Sequence, residues 1–364
     1  MDDTFEYVFP AIRGIQARRE YYVSMCPLRL LPKLFIFDEE ELAAEFRAQR
    51  RLNKARVPEI SRYIASNPEG YTFSAITASV DGEIRFEPIG LDADVDRVGR
   101  LHIDMAARFV VNDGQHRRAA IESALHERPE LGDETIAVVF FQDRGLERCQ
   151  QMFADLNRYA IRPTRSLGVL YDHRDEVARL TKLMVFESPL FRDVVEMEKS
   201  TLSQRSRKLF TLSALYSATN ALIADLPEKT VSEMTTLVGT FWKEVGKHIP
   251  EWHQVRDREI TASEVRRDFI HSHGIVLQAV GRAGNALLRD GRPWKSRLKG
   301  LRKIDWARAN TRQWEGRAMI GGRISKSSNN VTLTTNVVKN ALGLDLTPEE
   351  ERVEAAFHRG EHGS

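Results

Sequence analysis

The sequence has few cysteines, no long apolar run and almost no net charge. Its 364 residues include two cysteines, Cys26 and Cys149, which lie far apart and outside any Cys-x-x-Cys spacing. Neither a disulfide framework nor a thiolate zinc site is therefore expected. No apolar run approaches the roughly 20 residues of a membrane helix, and the polar start at 1–4 is unlike a signal peptide. These absences predict a protein of a reducing compartment, the cytoplasm, with no membrane partner.

Several common catalytic motifs are also missing. The chain contains no Gly-x-x-x-x-Gly-Lys-Ser/Thr loop, no Gly-x-Gly-x-x-Gly turn and no Gly-x-Ser-x-Gly elbow. If a nucleotide is bound, it is not held by a Walker fold. The only close histidine pair is His271 and His273. Two residues apart on a helix, these side chains would point to different faces, so no metal site is expected.

The composition is that of an ordinary globular protein, but its charge is unevenly distributed. With 42% hydrophobic and 29% charged residues, the chain has room for two domains and a sizeable core. The formal net charge is only +2, yet 289–326 holds twelve Lys or Arg against three acids, a net of +9. The remainder of the chain is therefore about −7. This segregation indicates an anionic partner for the late segment.

Hydrophobic periodicity predicts an α+β protein in which the strands come first. A mixed α/β domain is expected over 1–165 and an all-α domain, with no clear strand, over 166–364. Strands are predicted at 5–9, 20–25, 71–79, 83–87, 101–103, 109–111 and 135–141, with a hairpin around 80–82 and burial of both faces of 135–141. Helices are predicted at 38–52, 57–66, 146–158, 174–186, 211–224, 229–248, 262–289, 294–301, 331–342 and 348–357.

The most informative stretch is a strand, a tight turn and a helix at 108–125. The apolar run 109–111 ends at Asp113 and Gly114, and a helical pattern follows. Glycine allows the turn because it lacks a Cβ. We expect Asp113 to cap the helix by accepting from backbone N–H groups of its first turn.

Two cations in the first turn of this helix are the candidate binding groups. Spacing of four places His116 over Ala120 and Arg117 over Ile121, toward the core, whereas Arg118 would pair with an acid on the solvent side. Cations at the positive end of a helix dipole are unfavourable unless an anion joins them. Two interpretations remain open: a bound phosphate-like group, or a carboxylate of the protein itself that pairs with Arg117.

The sequence Asp113-Gly114-Gln115-His116-Arg117 resembles the signature of DGQHR-domain proteins. The segments 5–14, 139–145 and 153–159 extend the likeness to the DndB family, which is encoded beside the bacterial DNA phosphorothioation (sulfur-modification) enzymes. The strand, turn and Arg-bearing helix are also similar to a box of the ParB and sulfiredoxin-like fold, where arginines hold nucleotide phosphates. The resemblance implies a ParB/sulfiredoxin-like first domain.

The resemblance implies, first, a repressor that binds double-stranded operator DNA of its own phosphorothioation gene cluster, as a homodimer if it follows the usual symmetry of operators. The basic half would hold the DNA phosphates. The candidate DNA-binding residues are Arg292, Lys295, Arg297, Lys299, Arg302, Lys303 and Lys326. Trp294, Trp306 and Trp314 within this segment are expected to pack helices together rather than stack on bases.

The alternative interpretation of the same turn is a nucleotide-dependent enzyme. ATP or another nucleoside triphosphate with Mg²⁺ would be hydrolysed, with DNA nicking as a coupled activity. The candidate phosphate-binding residues are Gly114, Gln115, His116, Arg117, Asn157 and Arg158. The candidate catalytic residues are Asp113, Gln115, His116 and Arg117, and no protein metal site is expected. Separately, the hydroxyl-rich basic loop at 198–208 would suit phosphate contacts or a mobile connection equally well.

Overall fold

The computed structural model describes residues 5–35, 56–90, 96–142, 151–152, 154–156 and 163–360. The chain divides into two compact units, 1–161 and 162–364. The helix predicted at 38–52 lies outside the described residues, as does most of the one predicted at 146–158. No helix in the described ranges is long and apolar enough to cross a membrane.

The first unit is built on a seven-stranded mixed sheet in the order β4-β5-β1-β2-β7-β3-β6. Neighbouring strands pair antiparallel except β3 and β7, which are parallel. The strands are β1 (Glu6–Gln16), β2 (Arg19–Pro27), β3 (Ile76–Asp81), β4 (Ile84–Pro88), β5 (Val98–Asp104), β6 (Arg108–Asp113) and β7 (Thr135–Gln142).

The hairpin predicted around 80–82 is wrong, because β3 and β4 do not pair with each other. They follow one another along one arm of a longer hairpin whose other arm is β5 and β6; β3 pairs with β6 and β4 with β5. The Asp-Gly sequence at 81–82 therefore marks the point where the two arms of the hairpin cross, and the chain does not reverse direction there. A Cβ on Gly82 would lie 2.4 Å from the Cβ of Ala107, so glycine is needed where the two arms approach closely.

Connectivity requires this sheet to curl. In a flat sheet β3 and β4 would lie about 24 Å apart, five spacings of about 4.8 Å. Yet β3 reaches β4 through two residues, a link that spans at most about 11 Å. Curling leaves one face enclosed, as β7 illustrates: Ile136, Val138 and Phe140 are buried while the residues between them are half-buried. The prediction that both faces of this strand are buried is therefore wrong.

Among the described residues of the first unit, three α-helices accompany the sheet: α1 (Leu31–Leu34), α2 (Val57–Ser66) and α3 (Gln115–Glu127). The limits of α2 match those predicted from the sequence. The helices α2 and α3 pack side by side and run in the same direction, since Ser61 Oγ lies 3.3 Å from Ser123 Oγ and Arg128, just past α3, donates to the carbonyl of Ala65 at 3.1 Å. Their N-terminal ends therefore lie at the same edge of the unit.

The second unit is mainly helical. Its helices are α4 (Arg165–Tyr171), α5 (Glu176–Glu187), α6 (Leu212–Ile223), α7 (Val231–Gly246), α8 (Pro250–Arg256), α9 (Ala262–Asp268), α10 (Gly274–Arg289), α11 (Thr311–Trp314), α12 (Ser328–Ala341) and α13 (Pro348–His358), with a 3-10 helix at Arg297–Lys303. The prediction that no strand follows residue 166 is wrong, because two pairs of very short strands occur there. Two-residue strands pair as β8 (Val195–Glu196) with β9 (Phe210–Thr211) and β10 (Met319–Ile320) with β11 (Arg323–Ile324). Such pairs are too short to produce a period-2 pattern.

The single helix predicted at 262–289 is divided into α9 and α10. Between them the chain leaves the helix at Phe269, and the N–H of Ile270 donates to the carbonyl of Trp306 at 3.0 Å. His271 is fully buried there and accepts at Nδ1 from the Trp252 indole at 3.0 Å. A tertiary contact to a distant segment overrides the helical pattern at this point.

The core of the second unit holds the tryptophans of the basic segment. Trp306 and Trp314 are buried and stack at 5.6 Å between ring centroids with an interplanar angle of 8°. Trp294 is half-buried against Phe241. The prediction that these rings pack helices together is confirmed.

Candidate anion site at two parallel helix starts

The turn after β6 depends on Gly114. This residue has φ of +103° and stands immediately before α3, where no side chain caps the helix. The predicted capping role of Asp113 is therefore wrong. Asp113 is the last residue of the strand, and its Oδ2 accepts from Nη2 of Arg117 at 2.7 Å instead.

Arg117 is held by the protein itself. Besides Asp113, its Nη2 donates to the carbonyl of Ala75 at 3.0 Å. A Cβ on Gly114 would lie 3.0 Å from both this Nη2 and Cγ1 of Ile76, so a larger residue would require the guanidinium or Ile76 to shift. The carboxylate interpretation of Arg117 is thus realised, although its Nε remains buried without an acceptor among the described residues.

The parallel packing of α2 and α3 brings another cation to this turn. Arg56 stands immediately before α2, which also begins without a side-chain cap. Burial lowers the pKa of His116, and the charges of Arg56 and Arg117 lower it further, while Asp113 acts in the opposite sense. Arg56 was missed by the sequence reasoning. Its signal was the end of the basic run 47–56 just before a proline in the first turn of a predicted helix.

Two helix starts and the charges of Arg56 and Arg117 therefore act on the same turn, beside the carboxylate of Asp113. The positive ends of both helix dipoles add to the charges of Arg56 and Arg117. Because its pKa is lowered from the ordinary value, His116 adds less positive charge to this turn than either arginine does. Helix starts of this kind are suited to anions, and the pair of Arg117 with Asp113 does not have to open to leave this positive potential in place.

The remaining residues predicted near this site differ in their burial and in their partners. Gln115 Nε2 donates to the carbonyl of Val111 at 3.3 Å. Arg118 was expected on the solvent side, but only 8% of it is exposed. It does form the predicted pair with Glu122, at 2.9 Å. The burial follows because α1, α2 and the 3-10 turn at Pro129–Asp133 all contact α3. Asn157 and Arg158 lie outside the described residues.

The candidate DNA-binding residues divide into internal and exposed groups. Arg297 is largely buried, pairs with Asp290 and donates to the carbonyls of Leu342 and Gly343. Arg292 is exposed but also pairs with Asp290, at 2.7 Å. Arg297 therefore anchors the 3-10 helix to the loop after α12, which reduces its availability to a partner.

Four cations around the 3-10 helix remain exposed: Lys295, Lys299, Arg302 and Lys303. We call these four residues the outer basic cluster. In the part of the chain that the structure describes, Arg302 donates to the carbonyl of Lys247 at 3.0 Å and the ammonium of Lys295 lies 5.7 Å from the centroid of the Trp294 ring. Lys326 does not belong to this cluster, because it lines a separate cavity within the second unit.

Fold and site together define a two-unit α/β protein with a curled mixed sheet, an arginine-bearing helix start and a basic helical half. The family model for DndB, described as DNA-sulfur modification-associated, matches residues 9–345. The chain therefore belongs to the DndB family, and the resemblance inferred from its motifs is confirmed. No curated protein and no solved structure matches it.

Proposed function

We propose that this protein is a DNA-binding regulator of the DNA sulfur modification system, a cytoplasmic repressor that binds the operator of its own gene cluster as a homodimer. Family membership supplies the context of DNA sulfur modification. The observation that carries DNA binding is the outer basic cluster, whose four cations face solvent above a core of buried tryptophans.

The outer basic cluster suits phosphates rather than base edges. Flexible lysines supply sequence-independent affinity, which fixes position on a duplex but reads no sequence. The threonine-rich helix α12 is a poor candidate for reading bases over most of its length. Thr334, Thr335 and Asn336 are buried, and the exposed residues lie near its two ends, Ser328 and Asn329 at the beginning and Asn340 at the end.

Salt dependence of duplex binding tests this proposal. In the variant Lys295→Gln, Lys299→Gln, Lys303→Gln, the slope of log affinity against log salt should become shallower by about 0.9 per lost phosphate contact, hence by about 2–3 in total. The matched control replaces three exposed cations outside the segment, Arg192, Lys229 and Lys243, by Gln. An unchanged slope in the first variant, or an equal change in the control, contradicts a phosphate-binding role. Sedimentation of the protein with and without operator DNA tests the homodimer.

A second candidate function is a nucleoside-triphosphate-dependent enzyme, with ATP and Mg²⁺ bound at the DGQHR turn as in a ParB-like domain. The paired helix starts with Arg56 and His116 favour it. Asp113 is occupied by Arg117, so a metal or catalytic role for this carboxylate requires their ion pair to open. Turnover that is abolished by His116→Ala and Arg56→Gln, with circular dichroism unchanged, would support this function. Turnover by both variants at the wild-type rate would refute it.

A further inference from the structure

The second unit contains a cavity of about 700 Å³ that neither proposed function uses. Its walls come from the loop at 200–204, the starts of α4, α6 and α10, one face of α9, Arg308 and Lys326. No aspartate or glutamate is among the described residues that line it. Cavities of this size are typical of small-molecule sites.

Five cations line the cavity, and four of them have no carboxylate partner in the described part of the chain. Arg267 pairs with Asp268 at 2.8 Å. Arg266 instead donates to the carbonyls of Ser203, Gln204, Ser206 and Lys208, an arrangement that holds the loop against α9 but leaves its charge uncompensated.

The other three cations also have no carboxylate partner among the residues that the structure describes. Arg308 donates to the carbonyl of Gly322 at 2.8 Å, and Arg165 lies over the ring of Tyr216 at 5.9 Å. Burial lowers the pKa of Lys326, and the nearby charge of Arg165 lowers it further. Lys326 is open to water in the cavity yet surrounded by protein, which accounts for both its exposure and its lowered pKa.

The positive end of α10 opens into the same cavity. This helix begins at Gly274, no side chain caps it, and its first turn contains no acid. Nζ of Lys326 lies 3.8 Å from the position that a Cβ on Gly274 would occupy. An ammonium beside a helix N-terminus is unfavourable on its own, and a bound anion would relieve both positive charges.

A buried hydroxyl without a partner provides an independent sign of a missing ligand. Ser272 lines the cavity, is 4% exposed, and its Oγ has no hydrogen-bond partner among the described residues. Buried hydroxyls almost always have a partner. Thr211, Ser213 and Ser217 add further hydroxyls to the wall.

We propose that this cavity binds the polyphosphate group of a small molecule among Arg165, Arg308, Lys326, Ser272 and the start of α10. Several uncompensated charges in an acid-free wall favour a polyanion over a single phosphate, and the volume admits a nucleotide but not a duplex. The proposal goes beyond duplex binding by the outer basic cluster. It also concerns a different unit from the DGQHR turn, so each can fail without the other.

Titration calorimetry of the full chain with sodium triphosphate, with ATP and with an eight-nucleotide single strand tests it. We expect triphosphate to bind one to one, and Lys326→Gln to weaken it by roughly ten-fold or more, the usual effect of losing a charged hydrogen bond. Arg312→Gln, an exposed cation outside the cavity, and Arg117→Ala at the DGQHR turn should keep the wild-type affinity.

Ser272→Ala supplies a second variant should Lys326→Gln fail to fold. It removes a hydroxyl without a partner, so thermal stability should be retained while triphosphate affinity falls. Tighter binding of ATP than of triphosphate assigns a nucleotide, and equal binding assigns the polyphosphate alone; both support the site. No binding of either at millimolar concentration, undiminished binding by both cavity variants, or binding of the oligonucleotide only would overturn it.

Discussion

The substitution Gly114→Ala tests whether the turn needs a glycine so that Arg117 can keep its contacts with Asp113 and the carbonyl of Ala75. At φ of +103° a Cβ is strained by about 1–2 kcal/mol. The Cβ would also lie 3.0 Å from Nη2 of Arg117, so the guanidinium must shift, which weakens its hydrogen bonds to Asp113 and to the carbonyl of Ala75. The half-exposed ion pair and this backbone hydrogen bond contribute at most about 1 kcal/mol each. We therefore expect a loss of about 2–4 kcal/mol in the first unit.

Hydrogen exchange followed by mass spectrometry, in peptides covering 108–127, measures this loss locally. Gly291→Ala is the matched control. Gly291 also has positive φ, +72°, but open space around its Cβ position, so only the strain of about 1–2 kcal/mol should appear. All five tryptophans lie in the second unit, which also contains Gly291. Tryptophan fluorescence in urea therefore measures the stability lost in the Gly291→Ala control.

A double-mutant cycle separates the backbone strain at position 114 from the steric contact of the new Cβ with Arg117. In the Arg117→Ala background no guanidinium remains to be displaced, so Gly114→Ala should cost about 1–2 kcal/mol less than it does in the wild type. Additive effects of the two substitutions would refute the argument that this glycine is required by Arg117.

The remaining predictions concern single side chains. Arg317→Ala leaves the half-buried carboxylate of Glu354 without its guanidinium partner and should lower the stability of the second unit by about 3 kcal/mol, measured by tryptophan fluorescence in urea. Burial opposes the shift, but hydrogen bonds from Arg317 and Asn336 keep the pKa of Glu354 below 4.5. Its contribution is therefore complete above pH 4.5 and is lost as the pH falls through the lowered pKa; identical acid profiles for wild type and Arg317→Ala would contradict this. Gly239→Ala, inside α7 with open space at its Cβ position, should raise stability by about 0.5–1 kcal/mol in the same assay. Burial raises the pKa of the Cys26 thiol to about 12, so maleimide should modify Cys26 only after unfolding, and rapid modification under native conditions would disagree.

Both candidate sites show that a count of basic residues overstates the charge available to a partner. Arg297 and Arg292 share Asp290, and Arg317 is paired with Glu354, so these three members of the basic segment are internally compensated. Lys326, by contrast, has no carboxylate partner among the described residues and faces a cavity. Availability of a cation depends on whether the fold places a carboxylate beside it.

Local sequence was sufficient for elements whose pattern is complete within a few residues. Helix α2 follows from its apolar spacing and early proline, and the turn before α3 follows from the glycine at 114. Family membership was also readable, because the motif Asp113 to Arg117 and its companion segments are specific.

Tertiary structure decided the pairing of strands, the division of 262–289 and the partners of Arg297 and Arg317. The sequence predicted a hairpin turn at Gly82 because glycine is favoured both where a chain reverses direction and where two chain segments approach closely. The parallel alignment of α2 and α3 that brings Arg56 to the DGQHR turn joins segments about 60 residues apart. The cavity at Lys326 likewise assembles side chains from 165 to 326. Periodicity describes which face of an element is apolar, whereas the partner of that face depends on distant segments that only the folded chain brings together.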